Sequence, residues 1–392
     1  MRMPTKPLMR TLQAALMLAV PLGGALAAAV APVPAPDAPK GSLVIIGGNL
    51  RPDNADVWQR IVQLAGGPGA RIAVFPSAAA DPAPVGAAIV GFLNRYGANA
   101  FLVPLAVKLA DSDFRKTADD PELAAAVRGA GGVYFSGGDQ ARITQALVRE
   151  DGSRSAVLDA VWDLYRRGGV TEGREIAPGL GFIGDDVFVD QHFLVRGRFA
   201  RMIPAMMKKG YKLGLGIDEN TAMVVDSRRR VEIVGHKGAL LVDLSRATTD
   251  AASAGFNVSN AVISYLDRGD SYDLATHTFT PSEAKAGGRL TARKDALFDP
   301  VFSPDILGRN AVVELMENLI KNRRTEAIGI ATSGPQAQAS LPELGFQFTF
   351  SKTRDSVGYA AAVAPAEAPS YSIFNMRLDI RQLDIGQAAA PK

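Results

Sequence analysis

Short apolar runs alternate with amphipathic stretches through the first half of the chain. Four runs bounded by glycine, proline or polar residues predict buried strands, within residues 42–49, 71–77, 100–103 and 132–140. Between them, apolar residues recur at helical spacing, as in residues 57–65 and 87–96. This alternation is typical of a mostly parallel sheet covered by helices on both faces, so the predicted fold class is α/β.

Two glycine-rich turns end predicted strands, one at 47–49 and the other at 137–140. Ligands of such sheets bind beyond the carboxyl ends of the strands, where both turns fall. A double glycine also occurs wherever a tight turn needs positive φ. Each turn is therefore either part of a ligand site or a tight turn without further function.

The second half of the chain predicts a smaller module. Residues 310–322 place apolar side chains on one helical face, at Val312, Leu315, Met316, Leu319 and Ile320. Residues 326–331, 346–350 and 372–380 have the pattern of strands. We therefore predict a connecting region at 246–300 and a small C-terminal α/β module at 301–392, with a structural or polymer-docking role.

Residues 1–27 have the pattern of a secretory signal peptide. Basic residues precede an apolar run at 12–22, and small residues follow at 25–27. The run is shorter than the roughly 20 residues that span a bilayer; a retained anchor helix is the alternative. We predict secretion to the periplasm or the exterior, no membrane attachment after cleavage, and a leader rich in Pro and Ala at 28–40.

Charge and cysteine content exclude several classes of protein. The chain has 43 Lys and Arg against 40 Asp and Glu. Cleavage after residue 27 removes Arg2, Lys6 and Arg10 and leaves a formally neutral chain, which argues against nucleic acid as a partner. The chain has no cysteine, so neither a disulfide nor a thiolate metal site can form. We predict no metal and no other cofactor.

The densest group of chemically active residues follows a predicted strand at 187–189. The strand leads into Asp190 and His192. Three arginines follow within six residues: Arg196, Arg198 and Arg201. Imidazole titrates near neutral pH and suits general base catalysis, while guanidinium groups pair with carboxylates or phosphates. The alternative is a solvated basic turn with a structural histidine.

Glu219 lies at the end of a further predicted strand, in the run Ile217-Asp218-Glu219-Asn220-Thr221. Its carboxylate could orient the imidazole of His192; a surface turn with acidic residues is the alternative. If Gln140 and His192 share a pocket, the strand at 187–189 should lie in the parallel sheet, beside the strand at 133–135 or the one at 169–170.

Five motifs occur in order along the chain: Gly-Gly-Asp-Gln at 137–140, Gly-Leu-Gly at 179–181, Asp-Gln-His-Phe at 190–193, Arg-Gly-Arg at 196–198 and Gly-Ile-Asp-Glu-Asn at 216–220. Together they resemble the cyanophycinases of the S51 serine peptidases. The resemblance implies an S51 peptidase-like domain at 41–245, a three-layer sandwich like that of class I glutamine amidotransferases. It also implies cleavage of cyanophycin, a poly-aspartate carrying arginine on its side chains, to β-Asp-Arg dipeptides.

By the same resemblance, His192 is the general base and Glu219 is its orienting acid. The implied substrate pocket comprises Gln140, Asp190, Arg196, Arg198 and Arg201. The substrate would be a polymer or peptide rich in Asp and Arg, because arginines pair with aspartyl carboxylates and an aspartate with a substrate guanidinium. The family's tendency to dimerise suggests a homodimer.

The serine nucleophile of this family is missing. Cyanophycinases carry it in a Gly-Thr-Ser-Ala-Gly turn after the strand that follows the helix at 157–167, whereas no Gly-x-Ser-x-Gly occurs here. Residues 171–185 are also too rich in glycine and proline to supply the elbow and its helix. Thr171, in Gly-Val-Thr-Glu-Gly, is a poor substitute because a β-branched residue fits a strained turn badly.

Two functions therefore compete. The first is a secreted serine-type peptidase of the cyanophycinase type that is inactive or impaired because its nucleophile is lost. The second is a non-catalytic relative that keeps the pocket and binds a polymer or peptide rich in Asp and Arg.

Overall fold

The computed structural model describes residues 39–110, 112–168, 170–171, 180–253, 255–293, 299–332, 345–361 and 370–383. The predicted signal peptide at 1–27 and the leader up to residue 38 lie outside these ranges. Within them, no helix is long and apolar enough to cross a membrane.

Five parallel strands form one side of the first sheet: β1 (Leu43–Ile46), β2 (Arg71–Phe75), β3 (Asn99–Leu102), β4 (Gly132–Phe135) and β5 (Val170–Thr171). Their order is β1-β5-β4-β2-β3, and every neighbouring pair is parallel. The four strands predicted from the apolar runs are confirmed, and so is their parallel arrangement.

Side chains of these strands alternate between two apolar layers. In β1, Leu43 and Ile45 pack into one hydrophobic cluster, and Val44 and Ile46 pack into another. The first cluster contains side chains of α3 (Phe114–Ala118), α4 (Pro121–Arg128), α5 (Ala141–Leu147) and α6 (Ala156–Arg167); the second contains those of α1 (Ala55–Leu64) and α2 (Pro82–Arg95). The predicted α/β class, with helices on both faces of the sheet, is confirmed.

The first sheet continues beyond β1 as antiparallel strands. These are β8 (Thr221–Val225), β9 (Arg230–Gly235), β12 (Ser271–Asp273) and β13 (Thr278–Thr280). β9 buries alternate residues, Val231 and Ile233, as expected of a strand with one polar face. The sheet is therefore mixed, and its parallel part is limited to the five strands from β1 to the edge strand β3.

A second sheet joins strands that are distant in the sequence. Its order is β14 (Phe302–Ser303), β15 (Glu326–Thr332), β16 (Gly345–Ser351), β18 (Tyr371–Leu383), β11 (Asn257–Leu266), β10 (Ala239–Asp243), β7 (Leu213–Ile217) and β6 (Val187–Gln191), with β17 (Val357–Ala360) paired to β18. Helices α7 (Phe199–Lys209) and α9 (Ala311–Lys321) pack in a third cluster against this sheet. The helix predicted at 310–322 is confirmed, with its five apolar residues buried.

The predicted neighbours of β6 are wrong. β6 pairs in parallel with β7 in the second sheet, and it is not adjacent to β4 or β5. The apolar pattern of a strand predicts that the strand is buried but does not identify its partner. Here the βαβ unit β6-α7-β7 joins the second sheet, and His192 reaches the first sheet from the end of β6.

The second sheet contains strands from three predicted regions, since β11 comes from the predicted connecting region at 246–300. β6, β7 and β10 come from the predicted domain at 41–245, and β14 to β18 come from the predicted module at 301–392. The boundaries proposed between these domains stay a prediction. What the sheet does establish is that all three regions contribute to one hydrogen-bonded layer.

A buried ion pair lies where the chain passes from the second sheet to the first, between β11 and β12. Lys285 of the short helix α8 (Glu283–Ala286) is 1% exposed and lies 2.8 Å from Asp270 Oδ1. Asp270 also accepts hydrogen bonds from the backbone amides of Asp267 and Ser282, and its other neighbour is the hydroxyl of Ser372. Because the donors come from the crossing itself, from α8 with its N-cap Ser282, and from Ser372 of β18, the pair ties the crossing to α8 and to the second sheet.

Lys285→Met tests this anchor. The change leaves the Asp270 carboxylate buried without its cation, which typically costs about 3–5 kcal/mol of unfolding free energy. We expect a loss of that order in urea denaturation. The control is Lys209→Met, at an exposed position of α7, which should change stability by less than about 0.5 kcal/mol. Equal stabilities of the two variants would contradict the anchoring role of Lys285.

Candidate functional site

The carboxyl end of β1 is the floor of the candidate site. A Cβ added at Gly47 would lie 1.9 Å from the carbonyl oxygen of Asp218, and one at Gly48 would lie 2.3 Å from the imidazole of His192. Gly48 also has a φ of +95°, which side chains rarely adopt. Glycine is therefore required at both positions, because two other segments approach the backbone there.

His192 is held against this floor by its own backbone. It follows β6 with a left-handed φ of 50°, and its amide donates to the carbonyl of Gly47 at 2.8 Å. Its Nδ1 lies 2.7 Å from Glu219 Oε1, and each side chain is 18% exposed. The expectation that His192 and Glu219 lie within hydrogen-bond reach is confirmed, whereas their catalytic roles stay a prediction.

Glu219 lies in the turn between β7 and β8, with both carboxylate oxygens engaged. Asn49 Nδ2 donates to Oε2 at 3.2 Å, and Arg196 Nε lies 3.9 Å from Oε1. Burial by itself would raise the pKa of Glu219. The hydrogen bonds from His192 and Asn49, with the charge of Arg196, outweigh burial and lower this pKa below its usual value. The site thus holds an ionised carboxylate against the imidazole.

Asp218 fixes the same turn from within the protein. It is 1% exposed, and it accepts hydrogen bonds from the backbone amide of Val195 at 3.2 Å and from Lys237 Nζ at 3.1 Å. The amide of Asn220 donates to the carbonyl of Gly48 at 2.9 Å. The buried carboxylate of Asp218 therefore links the turn that carries Glu219 to the segment that follows His192.

Arg198 and Arg201 both pair with the buried carboxylate of Asp190. Arg201 makes two hydrogen bonds to the Asp190 carboxylate, at 2.7 and 2.8 Å, and Arg198 adds a third at 3.1 Å. Burial lowers the pKa of Arg198, and the charge of Asp190 opposes this shift. Because Asp190 is 1% exposed, a contact between it and a substrate guanidinium would require these pairs to open. The arrangement favours a structural role for the three residues.

Arg196 and Gln140 lie on the rim of the site, the first beside Glu219 and the second at the neighbouring end of β4. Arg196 is 54% exposed and is the arginine of the 196–201 run that lies beside Glu219. Gln140 follows the glycine turn after β4, where a Cβ at Gly138 would lie 2.0 Å from the carbonyl oxygen of Ala78. β4 and β1 belong to the same parallel sheet, so Gln140 and the floor of the site share one sheet edge.

Thr171 lies away from that edge. Its backbone pairs with Leu43 of β1 and Val133 of β4. Ile46, the last residue of β1, is three residues further on, about 10 Å of strand. This register disfavours Thr171 as a nucleophile for His192. Residues 172–179, which belong to the segment 171–185 in which the elbow is predicted to be missing, lie outside the described residues.

Several polar groups at the site were not predicted to be functional. Asn49, which donates to Glu219, is one of them. The only clue to it in the sequence is that a polar residue directly follows the glycine pair at the end of a predicted strand. At the ends of β4 and β6, the Ser136 hydroxyl and the Gln191 side-chain amide nitrogen are buried, and neither has a hydrogen-bond partner among the residues that the structure describes. In the ranges that the structure describes, no cluster of His, Asp and Glu could hold a metal ion.

Comparison with known proteins agrees with the motifs. The chain is 27% identical over 280 residues to a cyanophycinase from Trichormus variabilis, covering 63% of this chain and 90% of the relative. It is 29% identical over 267 residues to cyanophycinases from Geminocystis herdmanii and Thermosynechococcus vestitus, covering 61% of this chain and 95% and 80% of these relatives. No family model matches. The predicted resemblance to cyanophycinases is confirmed.

Among solved structures, a putative peptidase E protein from Listeria monocytogenes EGD-e matches 49% of this chain and 97% of its own. The identity is 11% and the TM-score is 0.35.

Asn49→Gly tests the role of the amide on Glu219. Glycine keeps the left-handed backbone, φ 48° in the structure, so the variant removes little more than the side chain. Loss of a hydrogen bond to the ionised form should raise the pKa of Glu219. An ionised carboxylate with a lowered pKa stabilises the fold above its unfolded pKa, and this stability is lost as pH falls through the folded pKa. As the pH falls, the variant should therefore lose the stability contributed by the ionised Glu219 at a higher pH than the wild type does.

The measurement is a carbon NMR titration of the Glu219 carboxyl group. The control is Asn310→Gly, another left-handed asparagine with φ 61°, located before α9. The control should leave the Glu219 titration unchanged. A Glu219 titration identical in wild type and Asn49→Gly would show that the amide does not tune this carboxylate.

Proposed function

We propose that this chain is a cyanophycinase-like serine-type hydrolase by descent, which recognises a polymer rich in Asp and Arg and turns it over poorly or not at all. The observation that carries the proposal is the bond of 2.7 Å between His192 Nδ1 and Glu219 Oε1 on the glycine floor. The alignment with cyanophycinases over 61–63% of the chain supports cyanophycin as the polymer.

The proposed base works through the two nitrogens of one ring. Because Nδ1 is held by Glu219, proton transfer falls to Nε2. An ionised Glu219 fixes the tautomer and stabilises the imidazolium that forms when Nε2 takes a proton. The lowered pKa of Glu219 keeps it ionised at neutral pH. The chain thus has the base half of a nucleophile–base–acid arrangement.

The nucleophile half is what the proposal treats as lost. The sequence contains no Gly-x-Ser-x-Gly, and the register of β5 disfavours Thr171. An elbow supplies both the attacking hydroxyl and a backbone amide of the oxyanion hole. Loss of one such donor costs about 10²–10³ in rate, in addition to the loss of covalent catalysis. We therefore expect base and substrate pocket without efficient turnover.

Substrate recognition is assigned to the rim of the site. The exposed guanidinium of Arg196, close to Glu219, could pair with an aspartyl carboxylate of the polymer. Gln140 lies at the same sheet edge and could hydrogen-bond the polymer backbone. The rim would be stabilised by the ion pairs that Asp190 makes with Arg198 and Arg201.

A non-catalytic polymer-binding protein is the second candidate function. The observation that favours it is the coexistence of an ordered His192–Glu219 pair with a sequence that lacks an elbow. Binding without any residual hydrolysis would distinguish it from the first candidate. For either function we propose export through cleavage after residue 27, and assembly as a homodimer.

The test is release of β-Asp-Arg from cyanophycin by the purified chain without residues 1–27. We expect little or no dipeptide. A version with a Gly-Thr-Ser-Ala-Gly elbow and a following helix inserted after Val170 should release at least about 10²-fold more, because nucleophile and oxyanion donor return together. The matched control is the same insertion with Ala in place of the inserted serine.

Three outcomes decide between the alternatives. Robust turnover by the unmodified chain that disappears in Thr171→Ala would identify the threonine as nucleophile. Robust turnover that survives this change would mean that the nucleophile lies elsewhere. Absence of both binding and turnover in every version would reject cyanophycin as the substrate.

A further inference from the structure

A polar groove opens on the second sheet, away from His192. It has a volume of about 490 Å³ and lies between Arg246, residues 260–262 of β11, the turn at 353–355 and β18. Val262 pairs with Asp243, which pairs with Leu213 at the start of β7, whereas the candidate site follows the end of β7. Strand lengths and spacings put groove and site on the order of 20 Å apart.

Three guanidinium groups and one carboxylate line the groove: Arg246, Arg354, Arg377 and Asp355. Arg354 is 93% exposed and lies 3.6 Å from Asp355, and Arg377 is held by Asp379 at 2.5 Å. Arg246 makes no ion pair with any described residue. The lining is therefore positive in excess but carries both signs, which suits a ligand rich in carboxylates that also bears cations.

Two strained asparagines face the same groove. Asn260 and Asn375 have φ of 61° and 58°, in the left-handed region that costs energy for any side chain. Both lie where the pairing of β11 with β18 shifts register, and such bulges redirect side chains. Their backbones are hydrogen-bonded, but within the described residues neither side-chain amide has a partner. Both amides can therefore donate to and accept from a polypeptide backbone.

We infer that this groove is a second docking site for an aspartate-rich polymer, distinct from the site at His192. Arginines would pair with aspartyl carboxylates, the two asparagines would bond main-chain amides, and Asp355 would accept substrate guanidinium groups. The inference rests on the proposed function. At least about six residues of extended chain would bridge groove and site, so engagement of both would raise the effective concentration of the polymer at His192.

The experiment compares binding of soluble cyanophycin by the full chain and by Arg246→Gln/Arg354→Gln. Loss of two guanidinium contacts should weaken polymer binding about tenfold. The matched control is Arg228→Gln/Arg323→Gln, two exposed arginines outside the groove with the same loss of charge. It should bind within about twofold of wild type if net charge is not the cause. Thermal unfolding of both variants should match wild type.

Poly-aspartate is a second probe that does not depend on cyanophycin being the substrate. Tight binding of cyanophycin that is equal in the groove variant and the control would overturn the docking site but leave the proposed function standing. Absence of cyanophycin binding by wild type would overturn the proposed function. In that case, groove-dependent binding of poly-aspartate would still support the docking site, and no binding of poly-aspartate would overturn it.

A third variant, Asn260→Gly/Asn375→Gly, separates the amides from the backbone bulges, since glycine adopts positive φ without strain. It should weaken polymer binding without lowering stability. Unchanged binding in this variant, together with unchanged binding in the arginine variant, would exclude the groove.

Discussion

The close approach of three backbone segments at Gly47 and Gly48 is the constraint on which the site depends. The carbonyl of Asp218 and the imidazole of His192 both occupy space that any side chain on these glycines would fill. The backbone bonds from His192 to Gly47 and from Asn220 to Gly48 then fix the distances. The imidazole of His192 and the carboxylate of Glu219, which follow different strands of the second sheet, are thereby aligned on the edge of the first.

One of the turns in this alignment, 218–220, is also a crossing between the two sheets, and two further turns cross between them. The turn 218–220 passes from β7 to β8, the turn 236–238 from β9 to β10, and the turn 267–270 from β11 to β12. Charged side chains that are almost fully buried anchor two of them, Asp218 at the site and Asp270 with Lys285 at the crossing from β11 to β12. Buried charges are costly unless fully paired, so these anchors restrict each crossing to one geometry.

The contacts that align the imidazole and carboxylate come from the end of β1, the turn after β6 and the turn after β7. β5, the strand after which the proposed function expects the nucleophile, supplies none of these contacts. The pair of His192 and Glu219 is therefore built on elements other than β5, which agrees with the proposed loss of the nucleophile without loss of the pair. The ion pairs of Asp190 with Arg198 and Arg201 stabilise the segment from β6 to α7, which carries His192.

The sequence by itself determined the parallel strands, their covering helices and the amphipathic helix α9, because local apolar periodicity reports burial directly. Its motifs also identified His192 and Glu219 as partners, since glycine turns and polar residues at strand ends converge on one sheet edge. Only the tertiary structure decided which sheet β6 joins, that Asp190 is used internally, and that Asn49 reaches Glu219. Strand neighbours and hydrogen-bond partners far apart in sequence, such as 49 and 219, depend on how whole elements pack, and no local pattern encodes that choice.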